Sequence, residues 1–254
     1  MKKVKLNQGW WNELLPEGLP YPTSTLISGP GGSGKPLVGF SVVYSWLKEG
    51  GSLIFILTNT GKDFVEKAMK EIYNIKIEDY KENLVFIEFD PSIDPSISSI
   101  EKSGEKPIKA NLVNPKVWDE AIKIASSQIK QKTELGTLVF ASALNLPLFS
   151  RTYGESILKK LGEIIKEDKT KTYLFTVSTS AYKEKIRTLE DAADNLLFTR
   201  NEKPMKLLLR ITRMKDVSFS KREIKVPLKT EDLLTIKNLA EESRTDLIPI
   251  ISKI

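Results

Sequence analysis

A chain of 254 residues, 40% apolar and 28% charged, has the make-up of a soluble globular protein with one large core, so a single domain over 1–254 is expected. It has neither cysteine nor histidine, which excludes disulfides, thiolate and imidazole metal sites, Ser-His triads and cysteine nucleophiles together. Any catalysis falls to carboxylates, lysine, arginine, hydroxyls and backbone amides, and the formal charge of +6 admits phosphate-rich partners without requiring them.

No signal-peptide pattern and no apolar run of about 18 residues is visible, so a cytoplasmic protein away from membranes is expected. The richness in Ile, Lys and Glu fits a thermophile's usage.

In chain order, the first expected strand is Thr23 to Ser28. It runs into the stretch Gly29-Pro-Gly-Gly-Ser-Gly34-Lys35, and a helix follows over Leu37 to Leu47. Ser52 to Leu57 is a continuous apolar strand. Lys62 to Tyr73 puts Val65, Ala68, Met69 and Ile72 on one helical face, and Leu84 to Phe89 is a third strand. Asp90 to Asn114 carries Pro91, Pro95, Gly104 and Pro107 among serines and charges and reads as a long irregular loop.

Pro115 opens a helix with the stripe Trp118, Ala121, Ile122, Ala125 and Ile129. Thr137 to Ala143 is a fourth buried strand, and a helix over Ile157 to Ile165 turns Leu158, Leu161 and Ile164 inward. Strands at Tyr173 to Val177 and Asn195 to Thr199 lead to Lys206 to Met214 and Val217 to Val226 with no helix between the last strands. Thr230 can cap a final helix to about Glu242, before the apolar tail Leu247 to Ile251. This alternation implies an α/β fold: a mainly parallel central sheet flanked by helices, with an antiparallel C-terminal edge.

The loop after the first strand has the spacing that cradles nucleotide phosphates, a glycine, four residues, then Gly-Lys and a hydroxyl residue. Gly29, Gly34 and Lys35 fit in register, with Gly31, Gly32 and Ser33 between them, but position 36 is proline. Pro36 removes the magnesium-binding hydroxyl and one amide donor, and it biases Lys35 away from helical geometry. The alternative is an ordinary glycine-rich turn in which Pro36 helps start the helix.

Leu15-Pro-Glu-Gly-Leu-Pro20 followed by Thr25 to Lys35 resembles the opening of the KaiC/RadA-like branch of the RecA superfamily. Glu190 to Leu197 and Leu209 to Lys215 are similar to its late aspartate-containing strand and its basic Lys-Met-Arg strand, so the likeness spans most of residues 9–228. The resemblance implies a RecA-like P-loop fold with ATP or ADP as ligand. It also implies assembly, as a homo-oligomer or as a hetero-oligomer with an active paralogue.

Such proteins carry a Walker B aspartate at the end of the fourth strand, where Ala141 stands here. They carry glutamates after the second strand, where Asn59 and Thr60 stand. Three replacements serving one reaction imply a degenerate ATP site, with magnesium in doubt and hydrolysis near background.

Other residues stay open between two readings. Arg213 and Lys215 match cations that reach a neighbouring subunit's phosphates, or they mark a solvated basic edge strand. Ser178 and Thr179 match a phosphate sensor, or they cap the next turn. Asp194 reads as a strand-entry residue. Lys183, Lys185 and Arg187 on a polar loop, with Arg151, Tyr153 and Tyr182, suit single-stranded nucleic acid, or they form a solvated face. Trp10 and Trp11 are expected to pack.

The leading function is a nucleotide-binding pseudo-ATPase acting as a regulatory or scaffold subunit. One alternative is an ATPase with magnesium relocated to Glu88, Asp90 or Asp94. The other is a recombinase-paralogue-like accessory protein on single-stranded nucleic acid.

Overall fold

A computed structural model describes the chain except residues 97–99, 101–106, 131, 132 and 204. Among the described residues the strands are β1 (Lys2–Val4), β2 (Leu19–Tyr21), β3 (Ser24–Gly29), β4 (Ser52–Leu57), β5 (Leu84–Phe89), β6 (Ile108–Ala110), β7 (Thr137–Ala141), β8 (Thr172–Ser178), β9 (Asn195–Glu202), β10 (Lys206–Arg213) and β11 (Ile224–Lys225). The helices are α1 (Gly9–Leu14), α2 (Lys35–Lys48), α3 (Lys62–Tyr73), α4 (Pro115–Gln128), α5 (Gly154–Glu167), α6 (Lys183–Ala192), α7 (Thr230–Glu242) and α8 (Ile248–Ile251).

Nine strands form one sheet in the order β11-β10-β9-β3-β8-β7-β4-β5-β6. The pairings from β9 through β6 are parallel, and β10 and β11 add an antiparallel edge. β1 and β2 form a separate antiparallel pair.

The central strands are apolar throughout because both faces of the sheet are covered. Along β4, Leu53, Phe55 and Leu57 enter the layer of α1, α2, α3 and α7, while Ile54 and Ile56 enter the layer of α4, α5, α6 and α8. Helix α2 lies close against the sheet, since a Cβ on Gly39 would stand 2.3 Å from the Phe140 ring. Trp11 is buried and donates its indole N–H to Ser41 Oγ of α2 at 2.9 Å, and Trp10 stacks on it. These two residues therefore pack.

Four local expectations change. The stretch read as an irregular loop contains β6, which extends the sheet beside β5; Gly104 lies outside the described residues. Lys183, Lys185 and Arg187 stand on helix α6, whose buried stripe is only Ile186 and Leu189. β7 ends at Ala141 because Ala143 takes φ 47° and gives its amide to Thr176 Oγ1. The segment read as a strand from Val217 keeps only two paired residues: Ser218 N donates to Glu17 and Ser220 N to Leu14 O, which ties it to the N-terminal segment instead. No helix among the described residues is long and apolar enough to cross a membrane.

Candidate functional site

β3 delivers the chain to the carboxyl edge of the sheet, where residues 30–34 turn over into α2. Gly34 has φ +73° and meets Leu233 and Leu207 so closely that a Cβ would lie 2.8 and 3.0 Å from their methyl groups. Only glycine takes that backbone without strain. Lys35 is the first helical residue and Pro36 the second; Leu37 and Val38 donate back to Gly34 O at 3.0 and 3.4 Å. The expected displacement of Lys35 from the helix does not occur, because the N–H that Pro36 lacks belongs to the turn whose amides have no intrahelical partner.

The loop is held from several sides. Ser33 Oγ meets Thr199 Oγ1 at 2.8 Å, Asn201 Nδ2 donates to Gly32 O at 2.8 Å, Ser180 Oγ accepts from Gly31 N at 2.9 Å, and Thr179 N donates to Gly29 O at 2.9 Å. Lys35 is 5% exposed, and its ammonium donates to Gly29 O, Pro30 O and Ser33 Oγ. None of these partners is a carboxylate, and burial pushes its pKa down to about 7.

Above the loop is a cavity of about 600 Å³, within the range of small-ligand sites. Its floor is residues 31–36, its wall the strand-end groups Asn59, Thr60, Asn145, Thr176, Ser178 and Ser180, and its roof α7 and the turn after it. Lys35, Lys237 and Arg244 line it, and Glu241 is the one carboxylate on its lining among the described residues. Thr60, 5% exposed, carries a buried hydroxyl with no hydrogen-bond partner among the described residues. Asn145 Oδ1 accepts from Ser178 N at 3.1 Å, and Ser142 Oγ donates to Asn59 Oδ1 at 3.3 Å.

A KaiC-like protein from the hyperthermophilic archaeon Pyrococcus horikoshii superposes with a TM-score of 0.67 at 15% identity, over 90% of this chain and 96% of that one. The fold is KaiC-like. No family model matches the sequence, and no curated protein matches it.

Within this KaiC-like fold the residues singled out from the sequence separate. Gly31 through Pro36 line the cavity with Asn59, Thr60 and Ser178, while Thr179 acts through its amide on Gly29. Ala141 does not reach the cavity; it is fully buried in the layer of α4 to α6, and Ser142 is the residue that turns toward Thr58 and Asn59. Glu88, Asp90 and Asp94 are not on the lining, and Asp90 Oδ1 accepts from Ser92 N at 2.9 Å and Ser92 Oγ at 2.6 Å. No group of three acidic residues among the described ones is arranged to hold a metal ion.

Arg213 donates to Ala193 O at 2.8 Å and to Glu190 O, and Lys215 pairs with Asp194 at 2.9 Å. These bonds lie toward the amino ends of β3 and β9, away from the phosphate loop. Asp194 also accepts from Ser24 N at 3.0 Å and from Lys169 at 2.5 Å. Burial alone would raise its carboxyl, but the bonds from Lys169, Ser24 and Lys215 hold it below the usual carboxylate range. Asp194 is thus more than a strand entry: it clamps the start of β3 to β9.

Lys185 pairs with Glu155 at 2.5 Å and lies 5.0 Å over the Tyr182 ring, which itself packs on Phe149. Tyr153 is half-buried at the start of α5, and Arg151, Lys183 and Arg187 are exposed. Sequence reasoning missed Asn145, Thr176, Ser180, Lys237 and Arg244. The first three end strands or follow them at the carboxyl edge, a signal that was available; the last two carried none.

Proposed function

We propose that this chain is a RecA-type nucleotide-binding domain that holds ATP or ADP without turning it over, and acts as a regulatory or scaffold subunit. One observation carries the reading: the glycine-rich turn and its buried lysine stand at the amino end of α2, while every group that the described strand ends present to the cavity is neutral. A helix amino end and a buried lysine with no carboxylate beside it favour phosphate oxygens.

The residues present do not fit magnesium. That ion keeps much of its water shell and is ordinarily held by one or two carboxylates together with substrate phosphates. Pro36 has no hydroxyl, Asn59, Thr60 and Asn145 carry no charge, and Glu241, on α7, already faces the Lys237 ammonium. Neither Asn59 nor Thr60 can take a proton from water, so the site also lacks a general base at that wall.

The partner in this reading is another copy of the chain or an active relative. The test is steady-state ATP turnover with magnesium by the purified chain and by Lys35→Ala. The two are expected to be equal, at background. A magnesium-dependent rate in the wild type that Lys35→Ala abolishes overturns the reading.

A further inference from the structure

The segment after the last strand is anchored in both layers of the fold. Leu233 and Ile236 of α7 are buried with α2, and Ile251 of α8 is fully buried in the opposite layer. Ile254 O also accepts from Thr152 N at 3.1 Å. Residues 237–248 therefore cross the carboxyl edge of the sheet above the phosphate loop. They cross it closely: a Cβ on Gly32 would lie 3.3 Å from Lys237 Cγ and 3.6 Å from its Cα.

The crossing brings charge to the cavity. Lys237 and Arg244 line it together with Lys35. Against these three cations stands Glu241, one turn beyond Lys237 and 3.8 Å from its ammonium, with both side chains more than half exposed. So wide and exposed a pair is weak and yields readily to a stronger anion.

We propose that this C-terminal strap is part of the phosphate site, with Lys237 and Arg244 as cis-acting cations that bind an oligophosphate chain without a metal ion. The inference rests on the reading of the cavity as a phosphate site and names what neutralises the charge there. Magnesium ordinarily offsets the negative oxygens of two neighbouring phosphates; here two flexible cations and Lys35 converge on the same space. A ligand phosphate draws Lys237 away from Glu241 and toward the loop at residues 31–36 that floors the cavity. The ligand is the phosphate chain of a nucleoside di- or triphosphate, or inorganic tripolyphosphate of the same length.

The test is titration calorimetry on the full chain in EDTA with ATP, ADP and sodium tripolyphosphate. The variants are Lys237→Gln, Arg244→Gln, the double variant, and Lys67→Gln as a control on the exposed face of α3. Wild type and Lys67→Gln are expected to bind equally, each strap variant about tenfold more weakly and the double about a hundredfold, since each loses a charge-assisted contact. Glu241→Gln is expected to tighten binding.

Equal affinity for ATP and tripolyphosphate assigns recognition to the phosphates alone, and tighter ATP adds the nucleoside; both support the strap. A wild type that binds none of the three, with or without magnesium, overturns the cavity reading and the strap with it. If wild type binds and the strap variants match it, or binding appears only when magnesium is added, the strap inference falls while the cavity reading stands. Equal weakening by Lys67→Gln also overturns the strap.

Discussion

Replacing Lys35 by methionine is expected to stabilise the protein at pH 6 and to do nothing at pH 10.5. The ammonium is 5% exposed and faces neutral oxygens only. Its pKa falls from 10.5 to about 7 on folding. Between those values the unfolded chain holds a proton that the native state has lost, so unfolding takes one up and stability rises with pH across that window. Below about pH 7 both states are charged and the burial penalty is complete.

A gap of that size corresponds to at most about 5 kcal/mol at 1.36 kcal/mol per unit. Methionine has similar reach and no charge, and its arrival leaves no loop oxygen stranded: Gly29 O keeps Thr179 N, Pro30 O keeps Ser33 N, and Ser33 Oγ keeps Thr199. Allowing for the lost Lys35 hydrogen bonds, a net gain of about 2–3 kcal/mol at pH 6 is expected. Urea unfolding of both proteins from pH 6 to 10.5 measures it, with the variant's advantage shrinking to nothing as pH rises. A stability difference between the two proteins that is flat over that range, or a variant less stable at pH 6, refutes the reasoning. The same logic makes ATP binding at pH 8 take up a proton, because phosphate oxygens recharge the lysine; calorimetry in buffers of different ionisation enthalpy detects it.

Gly34→Ala is expected to cost about 2–3 kcal/mol in urea unfolding, from the left-handed backbone at φ +73° and the push on Leu233 and Leu207. Ala141→Asp, made to restore a strand-end acid, is expected instead to destabilise by about 3 kcal/mol or more, since residue 141 faces apolar side chains in the layer of α4 to α6; unchanged stability with new magnesium-dependent turnover would show that the residue turns to the cavity. A single-stranded oligonucleotide is expected to show no retention in a mobility-shift assay at 150 mM salt, because Lys185 is paired with Glu155 and Tyr182 packs on Phe149. Retention that persists there and is lost in Arg151→Ala would restore a nucleic-acid role.

The parts legible from the residues in order were those that local physics decides. β4, α3 and β5 occupy the spans that apolar runs and helical periodicity mark, because each buries a face wide enough to be seen in one dimension, while α7 begins at the Thr230 cap. The glycine and lysine spacing of the phosphate loop and the missing hydroxyl at Pro36 are likewise written locally. Helix α6 was hidden because its buried stripe is two residues, and β6 because three residues carry too little pattern.

Only the tertiary structure decided which way a strand end faces and what lies across it. A shift of one residue separates Ala141 in one layer from Ser142 beside Asn59, and no periodicity resolves a strand's last residue. Lys237 lies some two hundred positions from Gly32 in sequence and meets it in space because α7 and α8 bury their apolar faces on opposite sides of the sheet. The segment between them passes over the loop, and that path brings two exposed basic residues to the cavity's lining.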